Sequence, residues 1–230
     1  MKPIDTSIIF AAGFGTRMHP ITKDIPKPLV RIGDKTLLDH TLELAKNGNV
    51  KYFYLNTHHL ADQIERHVAK KNDIKLNFET PKILDTGGGL KAISYQLNTP
   101  IIFTSNVDTI WQGSNPFNML RENWCDKKMD CLLLLIPLKN STGHSKLGDF
   151  EKAQNGLIKR SKKSGLIYSG VQIIKHSITQ KNKKTIFSLN ETWDELIEKE
   201  RLYGIVYDGN WADVGSKENL YKAEKLLEEK

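Results

Sequence analysis

The first half of the chain alternates short apolar runs with amphipathic stretches, and this alternation restricts the fold more than any other feature. Strands are predicted at residues 7–11, 52–56, 74–79, 101–105 and 131–136. The stretches between them have helical spacing and predict helices at 36–46, 60–68, 90–97 and 116–124. Strands and helices in alternation predict a parallel sheet, and the continuous apolar run at 131–136 predicts that both faces of this sheet are covered.

The pattern changes after Pro137. Residues 149–159 and 165–174 resemble short strands punctuated by glycines, which predicts a small antiparallel insertion or flap over about residues 140–190. A helix at 191–200, a strand at 202–207 and a closing helix capped by Ser216 complete the prediction. Because the sequence contains no repeat and no low-complexity linker, we expect residues 1–230 to form a single α/β domain.

Composition excludes several classes of protein. The 230 residues, 39% of them hydrophobic, suffice for one sizeable core, and no stretch approaches the roughly 20 apolar residues of a membrane span. The apolar segment at 8–12 predicts a buried strand rather than a signal peptide, because Asp5 precedes it and Arg17 follows soon after. Cys125 and Cys131 are too few for a disulfide scaffold and lack zinc-ligand spacing, which indicates a cytoplasmic protein.

The net charge points to an anionic partner. Lys and Arg number 34 against 27 Asp and Glu, which gives +7 and is compatible with nucleic acid or with small anionic substrates. The basic runs at 159–163 and 181–184 have no interleaved aromatic residues and are typical of solvated loops. We therefore expect small anionic substrates, with neither nucleic acid nor membrane as a partner.

The loop that leaves the first strand is the first candidate site. Open parallel sheets bind ligands at the carboxyl ends of their strands, where a glycine-rich loop brings backbone N–H groups close to phosphates. Met18 replaces the third glycine of the dinucleotide fingerprint, so Gly13 and Gly15 alone fit a tight strand exit as well as a ligand loop. Arg17 favours an oligophosphate ligand, because its planar cation matches phosphate oxygens.

Lys27 lies between two prolines, Pro26 and Pro28, which restrict its backbone. This pattern fits a surface lysine in a stiff loop as well as a rigidly mounted catalytic cation. The residues by themselves favour neither interpretation.

Two aspartates follow predicted strands. Asp108 comes three residues after the strand at 101–105, and Asp213 comes after the strand at 202–207. Carboxylates at the carboxyl edge of a sheet attract hard cations such as Mg²⁺, although a single Asp in a loop is also an ordinary turn residue. The triple glycine at 87–89 either lets the backbone approach a flat ligand or makes a tight turn before a helix.

These segments together resemble the sugar-1-phosphate nucleotidyltransferases, enzymes that join a sugar phosphate to a nucleoside triphosphate and release pyrophosphate. The resemblance extends in order over almost the whole chain, through residues 13–20, 26–29, 85–89, 106–108, 148–150, 168–170 and 211–215. The compact length, the triple glycine and the Gly-Asp-Phe and Ser-Gly elements are most similar to the N-acetylmuramate-1-phosphate uridylyltransferase branch of cell-wall recycling.

The resemblance implies a fold and a set of residue roles. The fold is a Rossmann-like mixed, mostly parallel sheet with helices on both faces, of the nucleotide-diphospho-sugar transferase type. Arg17 and Lys27 are expected to be catalytic, and Asp108 and Asp213 are expected to bind Mg²⁺. Val107 stands where the family commonly has glycine, so the backbone before Asp108 is expected to differ slightly. The implied nucleotide-binding residues are Ala11, Ala12, Gly13, Gly15, Thr16, Asp85, Gly87, Gly88 and Asn106, and the implied sugar-binding residues are Asp149, Ser169 and Gly170.

The implied activity is transfer of a uridylyl group from UTP to an amino-sugar 1-phosphate, with N-acetylmuramic acid 1-phosphate as the expected acceptor. Thymidylyl, guanylyl or cytidylyl transfer to a hexose 1-phosphate or to phosphocholine remains the alternative within the family. A nucleotide-sensing domain without catalysis is the alternative outside it. The joint presence of Asp108 and Asp213 favours an enzyme, because a sensing domain does not need both carboxylates.

Overall fold

The computed structural model describes residues 3–144, 147–161 and 163–228. The strands are β1 (Thr6–Phe10), β2 (Arg31–Ile32), β3 (Lys35–Thr36), β4 (Tyr52–Thr57), β5 (Ile74–Phe78), β6 (Ile101–Asn106), β7 (Thr109–Gln112), β8 (Cys131–Ile136), β9 (Ser141–Thr142), β10 (Phe150–Lys152), β11 (Ile158–Arg160), β12 (Ile167–Lys175), β13 (Leu202–Val206) and β14 (Asn210–Asp213). The helices are α1 (Ile21–Asp24), α2 (Leu37–Asn47), α3 (Ala61–Val68), α4 (Asp85–Ser94), α5 (Pro116–Asn123), α6 (Ser177–Gln180), α7 (Leu189–Glu198) and α8 (Lys217–Glu228).

In the described part of the chain, the main sheet has seven strands in the order β13-β8-β12-β6-β1-β4-β5. Strand β1 is parallel to β4 and β6, β4 is parallel to β5, and β8 is parallel to β13. Strand β12 is antiparallel to both of its neighbours, β6 and β8. The prediction of a mixed, mostly parallel sheet is confirmed.

Helices cover both faces of this sheet. Successive residues of a strand point to opposite faces, so Ile9 packs with Phe53 in one core while Ile8 packs with Leu90 in the other. Ile8 and Ile9 are both completely buried. This double burial explains why β1 and β8 appear in the sequence as continuous apolar runs rather than as alternating ones.

The region after Pro137 differs from its prediction in two respects. The segment predicted as a single strand at 149–159 is a hairpin, in which β10 and β11 pair across a turn at Gly156 with Phe150 opposite Arg160. The next segment, β12, lies in the centre of the main sheet rather than in a flap, because its residues 169–174 are all buried between β6 and β8. Gly170, which suggested a turn, has a φ of 90° at an irregularity in the pairing of β12 with β8.

A small second sheet connects the end of the chain to the main sheet. Strand β14 pairs antiparallel with β7, so that Asp213 lies opposite Thr109. Its other edge pairs with β9. Because β7 follows β6 directly, this pairing brings the last strand of the chain to the carboxyl edge of the main sheet.

Helix α8 packs against this second sheet. Its first turn is capped as predicted, since the Oγ of Ser216 accepts a hydrogen bond from the N–H of Asn219 at 3.3 Å. Its apolar residues Ala223 and Leu226 share a core with Ala212 of β14. Neither α8 nor any other helix among the described residues combines the length and apolar character needed to cross a membrane.

One ion-pair cluster joins three neighbouring strands at the opposite edge of the sheet. Asp130 precedes β8 and accepts hydrogen bonds from Lys175 at the end of β12 and from Arg201 just before β13. Arg201 binds both carboxylate oxygens, at 2.9 and 3.1 Å. The hydrogen bonds from Arg201 lower the pKa of Asp130 below its ordinary value, aided by the bond from Lys175 and opposed by partial burial.

We expect Asp130→Asn to lower the free energy of unfolding by about 1 kcal/mol at pH 7, as for a partly exposed but bidentate ion pair. Because the pKa of Asp130 is lower in the folded than in the unfolded state, its contribution is complete above the ordinary pKa of 3.8 and disappears as the pH falls through the folded-state value. Urea unfolding of both proteins between pH 7 and pH 3 measures this difference.

Glu218→Gln is the matched control, because it removes a carboxylate from an exposed helical pair with Lys222. It should leave stability unchanged within about 0.5 kcal/mol. If the difference in free energy of unfolding between wild type and Asp130→Asn stayed constant with pH, the stabilisation by Asp130 would not be ionic.

Candidate active site

A cavity of about 340 Å³ lies at the carboxyl ends of β1 and β6. The residues that were predicted for catalysis, metal binding or nucleotide binding and that line it are Ala11, Ala12, Gly13, Gly15, Thr16, Arg17, Lys27, Asp85, Asn106 and Asp108. Two strands therefore bring segments together that are almost 100 positions apart in the sequence.

Gly15 shapes the first loop. Its φ of 64° is a left-handed conformation, and a Cβ at this position would lie 3.0 Å from the side chain of Thr22 and 3.1 Å from that of Lys27. Thr22 donates a hydrogen bond from its Oγ1 to the carbonyl oxygen of Gly15 at 2.8 Å. Glycine is therefore required both for the backbone conformation and for the close approach of Lys27.

A buried polar chain supports this loop from behind. The N–H of Ala11 donates to Asn56 at 2.8 Å, and Asn56 donates in turn to Glu79, also at 2.8 Å. The second carboxylate oxygen of Glu79 accepts the N–H of Leu84 at 2.7 Å, just before α4. Asn56 and Glu79 are fully or almost fully buried, so this chain fixes the loop relative to α4.

Asn56 and Glu79 were not among the predicted site residues. A signal was present, since each is a polar residue at the last position of a predicted strand. A polar side chain at such a place is either exposed or part of a buried network, and only the structure distinguishes the two.

The two predicted cations both lie close to the paired aspartates. Lys27 is buried within a short 3₁₀ turn, and its ammonium group contacts the carboxylate of Asp108. The guanidinium of Arg17 lies against Gly215, where a Cβ would be only 2.7 Å from its Nη1. The glycine after β14 thus leaves room for Arg17 beside the cavity.

Asp213 lies next to Asp108. The N–H of Val214 donates to the carbonyl oxygen of Asp108 at 2.8 Å, which fixes the two segments side by side. Burial raises the pKa of Asp213, and the negative charge of Asp108 raises it further, while Lys27 and Arg17 act in the opposite direction. The structure therefore brings together two carboxylates, and the two cations compensate their negative charge only in part.

Gly87 and Gly88 do not line the cavity. They lie within the first turn of α4, which begins at Asp85, and their N–H groups both donate to the carbonyl oxygen of Phe187 at 3.0 Å. A Cβ on Gly87 would overlap the ring of Phe187, and a Cβ on Gly88 would overlap the carbonyl oxygen of Thr185. These glycines thus allow α4 to pack closely against residues 185–187, and Asp85 and Thr86 face the cavity instead.

A second cavity of about 340 Å³ adjoins the first, and the two share Phe10, Asp85, Thr86 and Asn106. Its other lining residues are Asp149, Arg160, Tyr168, Ser188, Leu189, Asn190 and Trp193. They come from the β10–β11 hairpin, from the start of β12 and from the start of α7. The site thus consists of two connected compartments.

Of the three residues predicted for sugar binding, only Asp149 lines this second cavity. Its Oδ2 accepts the N–H of Tyr168 at 2.8 Å. Ser169 is completely buried, and its Oγ accepts the N–H of Val171 at 3.2 Å. Gly170 packs against Asn106, since a Cβ on Gly170 would lie 3.0 Å from the Asn106 side chain.

A larger cavity of about 540 Å³ lies between α2 and α8. It contains none of the predicted site residues. We assign the site to the two connected cavities, because the glycine loop, the two cations and Asp108 line the first of them. Asp213 is not among the lining residues and lies beside Asp108.

Comparison with known proteins identifies the family. The family described as Nucleotidyl transferase matches residues 6–99. The chain is 33% identical to the N-acetylmuramate alpha-1-phosphate uridylyltransferase of Caulobacter vibrioides, and the match covers 97% of each protein. The chain belongs to the sugar-1-phosphate nucleotidyltransferases.

Other nucleotidyltransferases of similar size match over nearly the full length. A D-glycero-alpha-D-manno-heptose 1-phosphate guanylyltransferase of Campylobacter jejuni is 26% identical, over 94% of this chain and 96% of that protein. The crystal structure of HddC from Yersinia pseudotuberculosis complexed with GMP-PN has a TM-score of 0.79 at 23% identity, over 96% of this chain and 99% of that one. This structural match shows that the fold is shared.

We expect Gly88→Ala to destabilise this nucleotidyltransferase by about 1–3 kcal/mol, because the new methyl group overlaps the Thr185 backbone. The expectation is specific to this packing, since alanine in place of glycine inside a helix normally stabilises by about 1 kcal/mol. Urea unfolding measures the change.

Gly13→Ala is the control, because no atom lies within 4 Å of a Cβ at that exposed position. Its free energy of unfolding should stay within about 0.5 kcal/mol of the wild-type value. If Gly88→Ala were as stable as Gly13→Ala, the proposed close packing of α4 would be wrong.

Proposed function

We propose that this chain transfers a uridylyl group from UTP to N-acetylmuramic acid 1-phosphate, forming the UDP-sugar and pyrophosphate in the recycling of cell-wall precursors. The observation that carries the proposal is the end-to-end match with an enzyme of that name. The two connected cavities fit two substrates that react with each other. The free cysteines Cys125 and Cys131 suit the reducing cytoplasm, where we place the reaction.

In this proposal the nucleoside triphosphate occupies the first cavity and the sugar phosphate enters from the second. A phosphate oxygen of the sugar attacks the α-phosphorus in line, so that a new P–O bond forms as the bond to pyrophosphate breaks. No protein nucleophile is required, and the protein acts by positioning the reactants and neutralising their charge.

The cations beside the cavity suit these tasks. Arg17, with its planar set of donors, holds the departing pyrophosphate. Lys27 bridges the α-phosphate and the incoming phosphate, and its buried mount in the turn at Lys27–Leu29 limits the entropy lost when it does so. The backbone amides at residues 12–16 supply further donors to the phosphates.

Recognition of the nucleotide base falls to residues other than the buried glycines. Because the amides of Gly87 and Gly88 are already bonded to Phe187, they have no free N–H to offer a ligand. We therefore assign base contacts to Asp85 and Thr86, which line both cavities at the start of α4.

Asp108 and Asp213 fit Mg²⁺ as ligands. Mg²⁺ prefers oxygen donors and is commonly held by one or two carboxylates together with water and substrate phosphates. Burial and, after it, the negative charge of Asp108 raise the pKa of Asp213, and a bound cation would relieve the repulsion between the two carboxylates. In the described ranges, no cluster of three or more His, Cys, Asp or Glu side chains is arranged to hold a metal. When bound, Mg²⁺ supplies positive charge to the phosphate oxygens.

Guanylyl transfer is the specific alternative, because a heptose 1-phosphate guanylyltransferase also matches over nearly the full length. The test is the release of pyrophosphate from UTP, dTTP, GTP and CTP, each with N-acetylmuramic acid 1-phosphate, N-acetylglucosamine 1-phosphate and glucose 1-phosphate. We expect the highest kcat/KM for UTP with N-acetylmuramic acid 1-phosphate. A preference of more than about tenfold, or about 1.4 kcal/mol, for another nucleotide would refute uridylyl transfer.

The shared metal site has its own test. If both aspartates bind one Mg²⁺, Asp108→Asn and Asp213→Asn should each nearly abolish activity and raise the Mg²⁺ concentration needed for what remains. The double variant should be hardly worse than either single one, because the second change removes a ligand from a site that is already lost. Steady-state kinetics over a range of Mg²⁺ concentrations measures these effects.

Asp208→Asn is the control, since Asp208 is an exposed residue in the loop before β14. It should change neither activity nor Mg²⁺ dependence. Without metal, Asp213→Asn should be as stable as the wild type or more so, because it removes the repulsion from Asp108. If the loss of activity in the double variant equalled the product of the losses in the two single variants, the two aspartates would not share one metal site.

A further inference from the structure

Arg160 lines the second cavity, although it belongs to a basic run that is typical of solvated loops. It is the last residue of β11, and its side chain is about one-third exposed, at 34%. Among the described residues that line this cavity, it is the only one with a cationic side chain. The neighbouring Lys159 is 71% exposed and pairs with Glu151 on the surface of the hairpin. One member of the run is therefore built into the site, while its neighbour is not.

The guanidinium of Arg160 is held from several sides. It lies over the ring of Phe150 at 4.7 Å and near the ring of Trp193 at 5.7 Å. Its Nε donates to the carboxylate of Asp194 at 2.7 Å, and one Nη2 hydrogen goes to the carbonyl oxygen of Asn190 at 3.2 Å. Such contacts fix the plane of the guanidinium before any ligand arrives, which reduces the entropy lost on binding.

The same contacts leave donors for a ligand. Of the five N–H groups of a guanidinium, Asp194 and Asn190 take two, and the remaining three have no acceptor among the described residues. Nη1, which carries two of them, belongs to the same planar fork as Nη2. A planar pair of donors matches the two oxygens of a carboxylate. The side chain of Asp194 is 57% exposed, so water screens its attraction to the positive charge of Arg160.

The rest of this cavity suits a neutral sugar ring. Asp149 is held by the N–H of Tyr168, and its carboxylate accepts hydrogen bonds from sugar hydroxyl groups. The rings of Tyr168 and Trp193 are 4.7 Å apart and provide an apolar wall. None of these groups attracts a negative charge, so Arg160 is the feature that an uncharged hexose would leave unused.

We propose that Arg160 is a specificity residue that binds a carboxylate carried by the sugar of the acceptor substrate. The proposal rests on the proposed function, because N-acetylmuramic acid is N-acetylglucosamine with an added lactyl ether that ends in a carboxylate. Arg160 then distinguishes these two sugars, while the phosphate of either sugar goes to the first cavity. Discrimination between the two sugars then depends on a residue of the β10–β11 hairpin rather than on the glycine loop.

The experiment measures kcat/KM with UTP for N-acetylmuramic acid 1-phosphate and for N-acetylglucosamine 1-phosphate. In Arg160→Met, which keeps an apolar stem against Phe150 and Trp193, we expect about a 10- to 100-fold loss with the first sugar, the effect of losing hydrogen bonds to a charged group. With the second sugar we expect a change of less than about threefold. Arg160→Lys should recover part of the loss, because it restores the charge without the planar fork.

Lys159→Met is the matched control, since it removes a positive charge one residue away and outside the cavity. Its ratio of kcat/KM values for the two sugars should equal that of the wild type. Thermal unfolding of each variant, together with its activity on N-acetylglucosamine 1-phosphate, shows whether the hairpin and α7 remain intact.

The outcomes separate this proposal from the proposed function. If wild type uses both sugars with UTP equally well, or if Arg160→Met loses activity equally with both, uridylyl transfer stands and the carboxylate proposal is overturned. If wild type uses neither sugar with UTP, the proposed function fails, and the role of Arg160 fails with it. A selective loss with the carboxylated sugar, partly restored by Arg160→Lys, supports the proposal.

Discussion

Burial of the central sheet on both faces is the constraint on which the rest of the structure depends. Because helices cover both faces, polar side chains that must meet a ligand can lie only where the strands end. Asn106 at the end of β6 and Asn56 near the end of β4 are such residues, and both line the first cavity. The same burial makes the supporting hydrogen bonds from Ala11 through Asn56 to Glu79 effective, because water does not compete with them.

The site is completed by two strands whose direction or position breaks the simple parallel pattern. The antiparallel β12 starts at the edge where β6 ends, and therefore presents Tyr168 to the second cavity. Strand β14 pairs with β7 and thereby places Asp213 beside Asp108. A purely parallel arrangement would leave both residues away from the glycine loop. The elaborated second half of the chain thus supplies one side of each cavity.

The sequence was sufficient for features that depend on neighbouring residues and insufficient for those that depend on long-range packing. The strands of the first half, the glycine loop and the stiff mount of Lys27 follow from local patterns, and the structure agrees with them. The predicted position of β12 in a flap was wrong. The glycines of this segment suggested turns, whereas its burial depends on pairing with β6 and β8, which are distant in the sequence. The role of Gly87 also was not predictable, since Phe187, which it contacts, lies 100 positions away.

The packing of α4 against the segment before α7 has a consequence for how the two compartments behave. The carbonyl oxygen of Phe187 accepts the N–H groups of Gly87 and Gly88 in the first turn of α4, and the Oγ1 of Thr86 accepts the N–H of Leu189 at 3.0 Å. These hydrogen bonds tie the start of α4, which lines both cavities through Asp85 and Thr86, to the start of α7, which lines the second cavity through Ser188 and Leu189. The wall that the two compartments share is therefore anchored to a wall of the second one, and a substitution that displaces residues 185–187 is expected to displace the shared wall as well.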